Sequence, residues 1–197
     1  MLFRSVDGEF AGCIVISDEI KPDSRDLIAE LKARGIRTVM LTGDNPEIAQ
    51  AVADEIGLDE VYGGLLPHQK VEKVEWLSGQ KGKGAKLCVM GDGINDAPML
   101  ALADIGVSMG GLGSDAAIEA SDVVLMNDEP SKLITAMDTA KFTKRIVWQN
   151  IVFSLGVKGI VLILGALGFA SMWEAVFADV GVALIAVLNS LRVLRRK

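Results

Sequence analysis

Short apolar runs alternate with amphipathic stretches through the first two thirds of the chain. Apolar runs at 12–17 and 36–41 are each followed by a stretch with helical periodicity, over 25–34 and 46–56. The alternation continues with strands near 61 and over 85–90, 105–109 and 123–126, and with helices over 68–77, 96–102 and from 131 onward. Because alternating strands and helices are typical of βαβ units, the pattern predicts an α/β fold with a parallel sheet covered by helices.

The pattern changes in the last quarter of the chain, where two long apolar stretches occur. Residues 146–170 carry one charge and residues 172–191 carry two. Each stretch has the length of about 20 residues that crosses a ~30 Å hydrocarbon core. The alternative is a helical hairpin buried in a large soluble core, but the first half is too polar to cover two such helices. We therefore expect a transmembrane hairpin, with domains over 1–140 and 141–197.

Charge supports this division. Residues 1–145 hold 15 basic and 24 acidic side chains, whereas residues 146–197 hold 5 and 2. The net charge of -6 excludes nucleic acid as an expected partner, because phosphate binding needs a basic face. The expected surroundings of the second domain are the lipid bilayer.

Basic residues flank the two apolar stretches at their outer ends. They are Lys141, Lys144 and Arg145 before the first stretch, and Arg192, Arg195, Arg196 and Lys197 after the second. The connection at 169–174 has no basic residue. The positive-inside rule then predicts a multi-pass membrane protein with both ends of this chain in the cytoplasm.

A first group of polar residues follows the strand predicted over 36–41. Thr42, Gly43 and Asp44 lie in the turn, and Asn45 and Pro46 begin the next helix. A hydroxyl group beside the free N–H groups of a helix N-terminus can hold a phosphate. Helix capping alone would explain Asn45 and Pro46, but it leaves Thr42 and Asp44 unexplained.

Two more groups fall at the same predicted edge of the sheet. Lys70 begins a helix, which on its own is more typical of a solvated lysine. Asp92 and Asp96 follow the strand over 85–90 within the segment GDGINDAP, which also contains Asn95. Two carboxylates on a glycine-containing turn suit Mg²⁺, although Asp92 or Asn95 could instead cap the next helix.

Together the segments LTGDN, LLPHQK and GDGINDAP resemble the haloacid dehalogenase-like phosphoryl-transfer sites, and most closely those of the cation-pumping P-type ATPases. The resemblance covers nearly the whole chain. It implies a partial, Rossmann-like phosphorylation domain that uses ATP and Mg²⁺. Position by position, the resemblance implies that Thr42, Gly43 and Asn95 bind phosphoryl oxygens and that Lys70 neutralises phosphate charge. It also implies that Asp44 lies on the hinge side of the nucleotide site, and that Asp92 and Asp96 hold Mg²⁺ and its waters.

The sequence also departs from that family's pattern. It contains no Asp-Lys-Thr-Gly-Thr segment, which carries the family's nucleophile, and no Thr-Gly-Glu or Cys-Pro-Cys segment. The resemblance therefore implies the C-terminal part of a pump, whose partners are the nucleotide domain, the actuator domain and other membrane helices. A chain without the nucleophile should not form a phosphoenzyme by itself.

The membrane stretches select one branch of the family. Two spans follow the phosphorylation domain, with Lys158 in the first and Asp179-Val180-Gly181 in the second. This arrangement resembles that of the zinc, cadmium and lead exporters of the plasma (inner) membrane.

We infer that Asp179 binds the transported divalent ion, with Zn²⁺ as the first candidate, and that Lys158 provides the counter-charge. The competing hypothesis is that the pair is only a structural salt bridge that fixes the hairpin. Counted from the external side, Lys158 lies about twice as deep as Asp179, so their contact would need helix tilt and the length of the lysine stem. We expect Gly181 to let a neighbouring helix approach closely.

Two functions from different classes are consistent with this sequence. The first is an ATP-driven exporter of divalent heavy-metal ions, represented by part of its length. The second is a membrane-tethered haloacid dehalogenase-like phosphatase, or a nonenzymatic truncated partner protein with the same fold.

Overall fold

A computed structural model describes residues 2–6, 9–14, 20–91, 93–110, 115–127, 129–169 and 171–195. The chain divides into two compact units, Met1–Lys132 and Leu133–Lys197. Unit 1 contains the strands and short helices, and unit 2 contains the two apolar stretches. Asp92, one of the expected Mg²⁺ ligands, lies outside the described residues.

Unit 1 has the predicted α/β composition. Its strands are β1 (Leu2–Val6), β2 (Glu9–Ile14), β3 (Val39–Leu41), β4 (Glu60–Tyr62), β5 (Cys88–Gly91), β6 (Ile105–Met109) and β7 (Val123–Leu125). Its helices are α1 (Ser24–Ala33), α2 (Pro46–Ile56), α3 (Pro67–Gly79), α4 (Ala97–Leu102) and α5 (Asp115–Glu119). A 3₁₀ turn, Ile94–Asp96, precedes α4. The sequence pattern indicated neither β1 nor α5.

Strands β3 to β7 form parallel pairs, as the pattern predicts. β3 pairs with β4, and β6 lies between β5 and β7. β1 and β2 instead form an antiparallel hairpin with a register shift between Arg4 and Ser5. The parallel pairing brings the carboxyl ends of neighbouring strands to the same edge, where the polar loops begin.

The opposite edge of these strands is held by aspartate side chains. Each of β4, β6 and β7 is preceded by an aspartate whose carboxylate accepts a hydrogen bond from a backbone N–H of the neighbouring strand or its approach. The acceptor and donor residues are Asp59 and Thr38, Asp104 and Leu87, and Asp122 and Gly106, all at 2.8 Å. A carboxylate that accepts such a bond fixes the start of one strand relative to the next.

The Asp104 carboxylate has three donor groups. Besides the Leu87 N–H, it accepts hydrogen bonds from Lys81 and from Lys86, the latter at 3.1 Å. The Leu87 N–H and the two ammonium groups hold the pKa of Asp104 well below its ordinary value. Asp104 therefore remains ionised through the whole neutral and mildly acidic range.

Part of the core of unit 1 lies between β6 and α4, the helix that precedes it. Val107 and Ser108 in β6 are fully buried, and Leu100 in α4 is 1% exposed. A Cβ atom on Gly106 would lie 2.7 Å from the carbonyl oxygen of Leu100. Only glycine permits this approach of α4 to the strand, and the approach positions the loop that precedes α4.

Unit 2 is built from long helical segments. α6 (Lys132–Ala166) is continuous for 35 residues, as the lack of Gly or Pro before Ile146 predicts. It ends in a Schellman motif, because Gly168 has φ +76° and the N–H groups of Gly168 and Phe169 donate to the carbonyls of Gly165 and Leu164.

The second stretch of unit 2 contains three consecutive segments. They are α7 (Met172–Val176), a π-helical turn (Phe177–Gly181) and α8 (Val182–Ser190). By length and composition, Lys132–Ala166 and Met172–Ser190 are candidate membrane spans. Their apolar side chains are largely exposed within the unit, which is typical of helices that contact lipid or further helices.

The contacts of Asp59 predict how the stability of unit 1 depends on pH. The Thr38 backbone N–H, the Lys32 ammonium group and the Thr38 hydroxyl lower the pKa of Asp59 from 3.8 to about 2. A carboxyl with a lowered folded-state pKa stabilises the fold above its unfolded-state pKa, and this stabilisation is lost as the pH falls toward the folded-state value. We expect the Asp59 contribution to decline between about pH 4 and pH 2.

The measurement is the urea midpoint of unit 1 across this pH range, for the wild type and for Asp59→Asn. Trp76 in α3 reports unfolding once Trp148 and Trp173 are replaced by phenylalanine. Asp59→Asn should lower the midpoint at neutral pH and flatten its decline in acid, whereas Asp54→Asn, at an exposed carboxylate of α2, should change neither. Equal acid sensitivity of wild type and Asp59→Asn would contradict this prediction.

Candidate functional site

The first candidate group occupies the turn between β3 and α2. Asn45 caps α2, since its Oδ1 accepts a hydrogen bond from the Glu47 N–H at 2.8 Å. Capping therefore accounts for Asn45, as the alternative interpretation held. Thr42 and Asp44 form a separate pair, in which Thr42 Oγ1 donates to Asp44 Oδ2 at 2.6 Å and the Asp44 N–H donates to Thr42 Oγ1 at 3.1 Å.

The segment after β4 packs against this turn. The Gly64 N–H donates to the carbonyl oxygen of Asp44 at 2.6 Å, and the Leu65 N–H donates to that of Thr42 at 3.0 Å. Gly64 has φ +70°, and a Cβ atom on Gly63 would lie 2.7 Å from the Pro46 Cα. These two glycines allow the segment to lie against the Thr42 turn immediately before α3 begins.

Lys70 lies in the first turns of α3. The start of this helix is fixed by Gln69, whose Oε1 accepts a hydrogen bond from the Leu66 N–H at 2.9 Å. Lys70 Nζ lies 3.6 Å from Asp96 Oδ1, and the side chains of Lys70 and Asp96 are only 20% and 16% exposed. The structure therefore brings together two of the site residues expected from the sequence, although they are 26 positions apart in the chain.

Asp96 is held close to the end of β5. Its own N–H donates to the Gly93 carbonyl at 3.0 Å, and its Oδ2 accepts a weak, 3.4 Å hydrogen bond from the Gly93 N–H. A Cβ atom on Gly91 would lie 2.8 Å from the Asp96 Cβ, so glycine is required at the strand end for the carboxylate to sit there. Asn95, in the same 3₁₀ turn, is exposed.

The donor set at this edge is compatible with Mg²⁺. The Asp96 side chain lies against Gly91, where the Cβ atom of any other residue would collide with it. Its carboxylate supplies the hard oxygen ligands that Mg²⁺ prefers. Within the described residues, no group of three or more His, Cys, Asp and Glu side chains is close enough to form a complete metal site.

The contacts define two pairs and one connection between them. Thr42 contacts Asp44, and Lys70 contacts Asp96. The segment 63–66 joins the pairs, because it is bonded to the Thr42 turn at one end and leads into α3 at the other. Gly43 lies beside this segment, where an added Cβ atom would be 3.3 Å from the Leu65 carbonyl oxygen.

Unit 2 contains the second candidate site. Lys158 Nζ donates to Asp179 Oδ1 at 2.9 Å, and the two side chains are 49% and 75% exposed within the unit. The sequence predicts that Lys158 lies about twice as deep in the membrane as Asp179. In the structure the two depths differ little, because α6 ends at Ala166 rather than near residue 170. Lys158 is then about 12 Å from its helix end and Asp179 about 10.5 Å from the start of α7, at 1.5 Å per residue.

A polar contact between the spans was not identified from the sequence. Asn150 Nδ2 donates to the Ala186 carbonyl at 3.1 Å and to Ser190 Oγ at 2.9 Å. Asn189 Nδ2 donates to Asn150 Oδ1 at 2.8 Å. The available signal was the presence of amide side chains inside otherwise apolar spans, where each needs a partner.

Comparison with known proteins agrees with this architecture. The sequence pattern of haloacid dehalogenase-like hydrolases matches residues 3–104. The chain is 58% identical over 194 residues to a cadmium, zinc and cobalt-transporting ATPase of Bacillus subtilis, covering 98% of this chain and 28% of that protein. It is 56% identical over 190 residues to a zinc-transporting ATPase of Synechocystis, covering 96% of this chain and 26% of that protein.

A solved structure is similar over both units. A zinc-transporting PIB-type ATPase in its E2·Pi state matches with a TM-score of 0.84 and 40% identity, over 95% of this chain and 30% of that one. The chain thus spans between a quarter and a third of the relatives it matches. The resemblance to the metal-pumping ATPases is confirmed as a similarity, and the match over residues 3–104 shows that the chain belongs to the haloacid dehalogenase-like hydrolase family.

Proposed function

We propose that this chain supplies part of the phosphorylation domain and two membrane spans of an ATP-driven divalent-metal exporter. The observation that carries the proposal is the contact between Lys70 and Asp96 at the carboxyl edge of the strands. Lys70 lies on the helix that follows the segment hydrogen-bonded to the Thr42 turn. An ammonium group, a carboxylate and a hydroxyl-bearing turn are the groups that phosphoryl transfer requires. The names of the similar ATPases, which transport zinc, cadmium and cobalt, support the class of cargo.

The residues of unit 1 then have separate roles in phosphoryl transfer. Thr42, Gly43 and Asn95 bind oxygens of the phosphoryl group, and Lys70 offsets its negative charge. Asp44 lies on the hinge side of the ATP site. Asp92 and Asp96 would hold Mg²⁺ and its waters, and the ion when bound neutralises charge on the transferring group. The attacked aspartate belongs to a segment that this sequence does not contain.

In unit 2, Asp179 binds the transported ion and Lys158 provides the counter-charge. A divalent ion, with Zn²⁺ as the preferred candidate, would displace Lys158 from the carboxylate, and Lys158 would return when the ion leaves. The exchange is supported by their 2.9 Å contact, since a lone carboxylate in a membrane span is costly. The same proposal places the chain in the plasma (inner) membrane, with both ends cytoplasmic and with the rest of the pump as its partner.

The first prediction uses a chimaera in which this chain replaces the matching segment of the Bacillus subtilis ATPase. The chimaera should hydrolyse ATP in response to Zn²⁺ and form a phosphoenzyme. Lys70→Ala should lower phosphoenzyme formation by roughly 100-fold or more, because charge compensation of the phosphoryl group is lost. Incorporation of ³²P from labelled ATP measures it.

The matched control for this variant is Lys73→Ala. Lys73 lies one turn further along α3, and its ammonium group lies 3.7 Å from the ring centroids of Tyr62 and Trp76, away from Asp96. Its replacement should leave the phosphoenzyme level within about twofold of the unaltered chimaera, as expected for a lysine outside the site. The role of Lys70 is wrong if the two variants retain equal phosphoenzyme.

The second prediction separates the pump from the phosphatase. The 197-residue chain produced alone should enter membranes and show no ATP or p-nitrophenyl phosphate hydrolysis, because covalent catalysis requires the attacked carboxylate. Phosphate release from purified chain in detergent, with and without Mg²⁺, is the measurement. Hydrolysis that disappears in Asp96→Asn would favour the membrane-tethered phosphatase; membrane insertion with neither activity fits the pump.

A further inference from the structure

The second span contains a break in its α-helical pattern at the position of the ion pair. Phe177–Gly181 forms a π-helical turn, in which the Val182 N–H donates to the Phe177 carbonyl five positions earlier. Both ends of the turn and the residues on either side have ordinary helical dihedral angles, so the hydrogen-bond pattern marks the turn. Asp179 is the central residue of this turn. Isolated π-helical turns inside α-helices are infrequent and are often found at functional sites.

A specific side-chain contact spans the turn. A Cβ atom on Gly181 would lie 2.7 Å from Cδ2 and 2.9 Å from Cε2 of Phe177. The Phe177 ring therefore occupies the space that the side chain of any other residue at 181 would need. This contact lies within the same span, and the expectation that Gly181 also receives a neighbouring helix stays a prediction.

The π-helical turn affects the direction of Asp179. An α-helix advances about 100° per residue, so one additional residue in a turn changes the phase between the segments on either side by roughly that angle. Ala178, one position before Asp179, and Val182, three positions after it, form a buried pair that is 4% and 1% exposed. The Asp179 carboxylate accepts a hydrogen bond from Lys158 Nζ at 2.9 Å. A return of this turn to α-helical geometry would shift Asp179 relative to the buried pair and so relative to Lys158.

We propose that Phe177 and Gly181 are positioning residues for the ion site, because their contact holds the π-helical turn that directs the Asp179 carboxylate toward Lys158. The inference rests on the proposed function, in which Asp179 binds the transported ion. Phe177 itself has no ligand atom, and Gly181 has no side chain. Their effect on the ion is exerted through the backbone that carries Asp179.

The test is a double-mutant cycle in the chimaera, with Gly181→Ala, Phe177→Ala and the two combined. Gly181→Ala should raise the half-saturating Zn²⁺ concentration for ATP hydrolysis by roughly tenfold or more, as a misplaced ligand does. Phe177→Ala, which adds no atoms, should raise it by a smaller factor. The double variant should resemble Phe177→Ala, because the added methyl group then has no ring to displace.

Gly156→Ala is the control for replacing a glycine in a span. Among the described residues, and apart from its chain neighbours and the backbone of its own helix, no atom lies within 4 Å of a Cβ atom built on Gly156. This variant should therefore behave as the unaltered chimaera. Vanadate inhibition should be the same in all variants, because the phosphate site of unit 1 is unchanged. A merely structural role would instead lower maximal turnover at an unchanged half-saturating Zn²⁺ concentration.

The outcomes distinguish the positioning proposal from the proposed function. Full Zn²⁺ stimulation in Asp179→Ala would overturn the ion-site assignment, and the positioning proposal with it. Lost stimulation in Asp179→Ala, together with Gly181→Ala indistinguishable from Gly156→Ala, would overturn the positioning proposal alone. Independent, multiplicative effects of Gly181→Ala and Phe177→Ala would also overturn it, since the two residues would then not act through their contact.

Discussion

Parallel strands need contacts other than tight turns to set their register, and in this domain hydrogen bonds to aspartate carboxylates supply them. Asp59, Asp104 and Asp122 each precede a strand and accept a backbone N–H from its neighbour at 2.8 Å. These bonds fix one edge of the strands. The opposite edge is left to loops that carry Thr42 and Asp96. These loops follow β3 and β5, which belong to different sheets among the described residues, so each carboxylate sets the register within its own sheet.

The elements with clear end signals were predicted well from sequence. The helix over 46–56 and the strand over 105–109 have the expected bounds, because Asn45 and Gly57 mark the helix ends and β6 is a continuous apolar run. β1 and α5 were missed, since β1 carries a charged residue and α5 has only five positions. The predicted strand over 12–17 overlaps β2, but without β1 the hairpin was not predicted. A periodicity argument has too few residues to identify such short elements.

The sequence indicates candidate site residues, but it does not indicate their contacts. Motif similarity singled out Lys70 and Asp96, whereas their 3.6 Å separation depends on the glycine at 91 and on the path of segment 63–66. Likewise, the sequence indicated Lys158 and Asp179, but not the π-helical turn that carries Asp179. The pattern of apolar positions gives no signal for such a turn, because the pattern is the same for an α-helical segment of this composition.

The central claim is that the Thr42 turn and the Asp96 loop form one phosphate site. Hydrogen–deuterium exchange of the chimaera, with and without Mg²⁺ and orthovanadate, tests this most directly. The claim requires that the peptides containing Thr42–Asp44 and Gly93–Asp96 become protected together and at the same vanadate concentration. Protection of only one of these peptides, or of neither while vanadate still inhibits ATP hydrolysis, would contradict it.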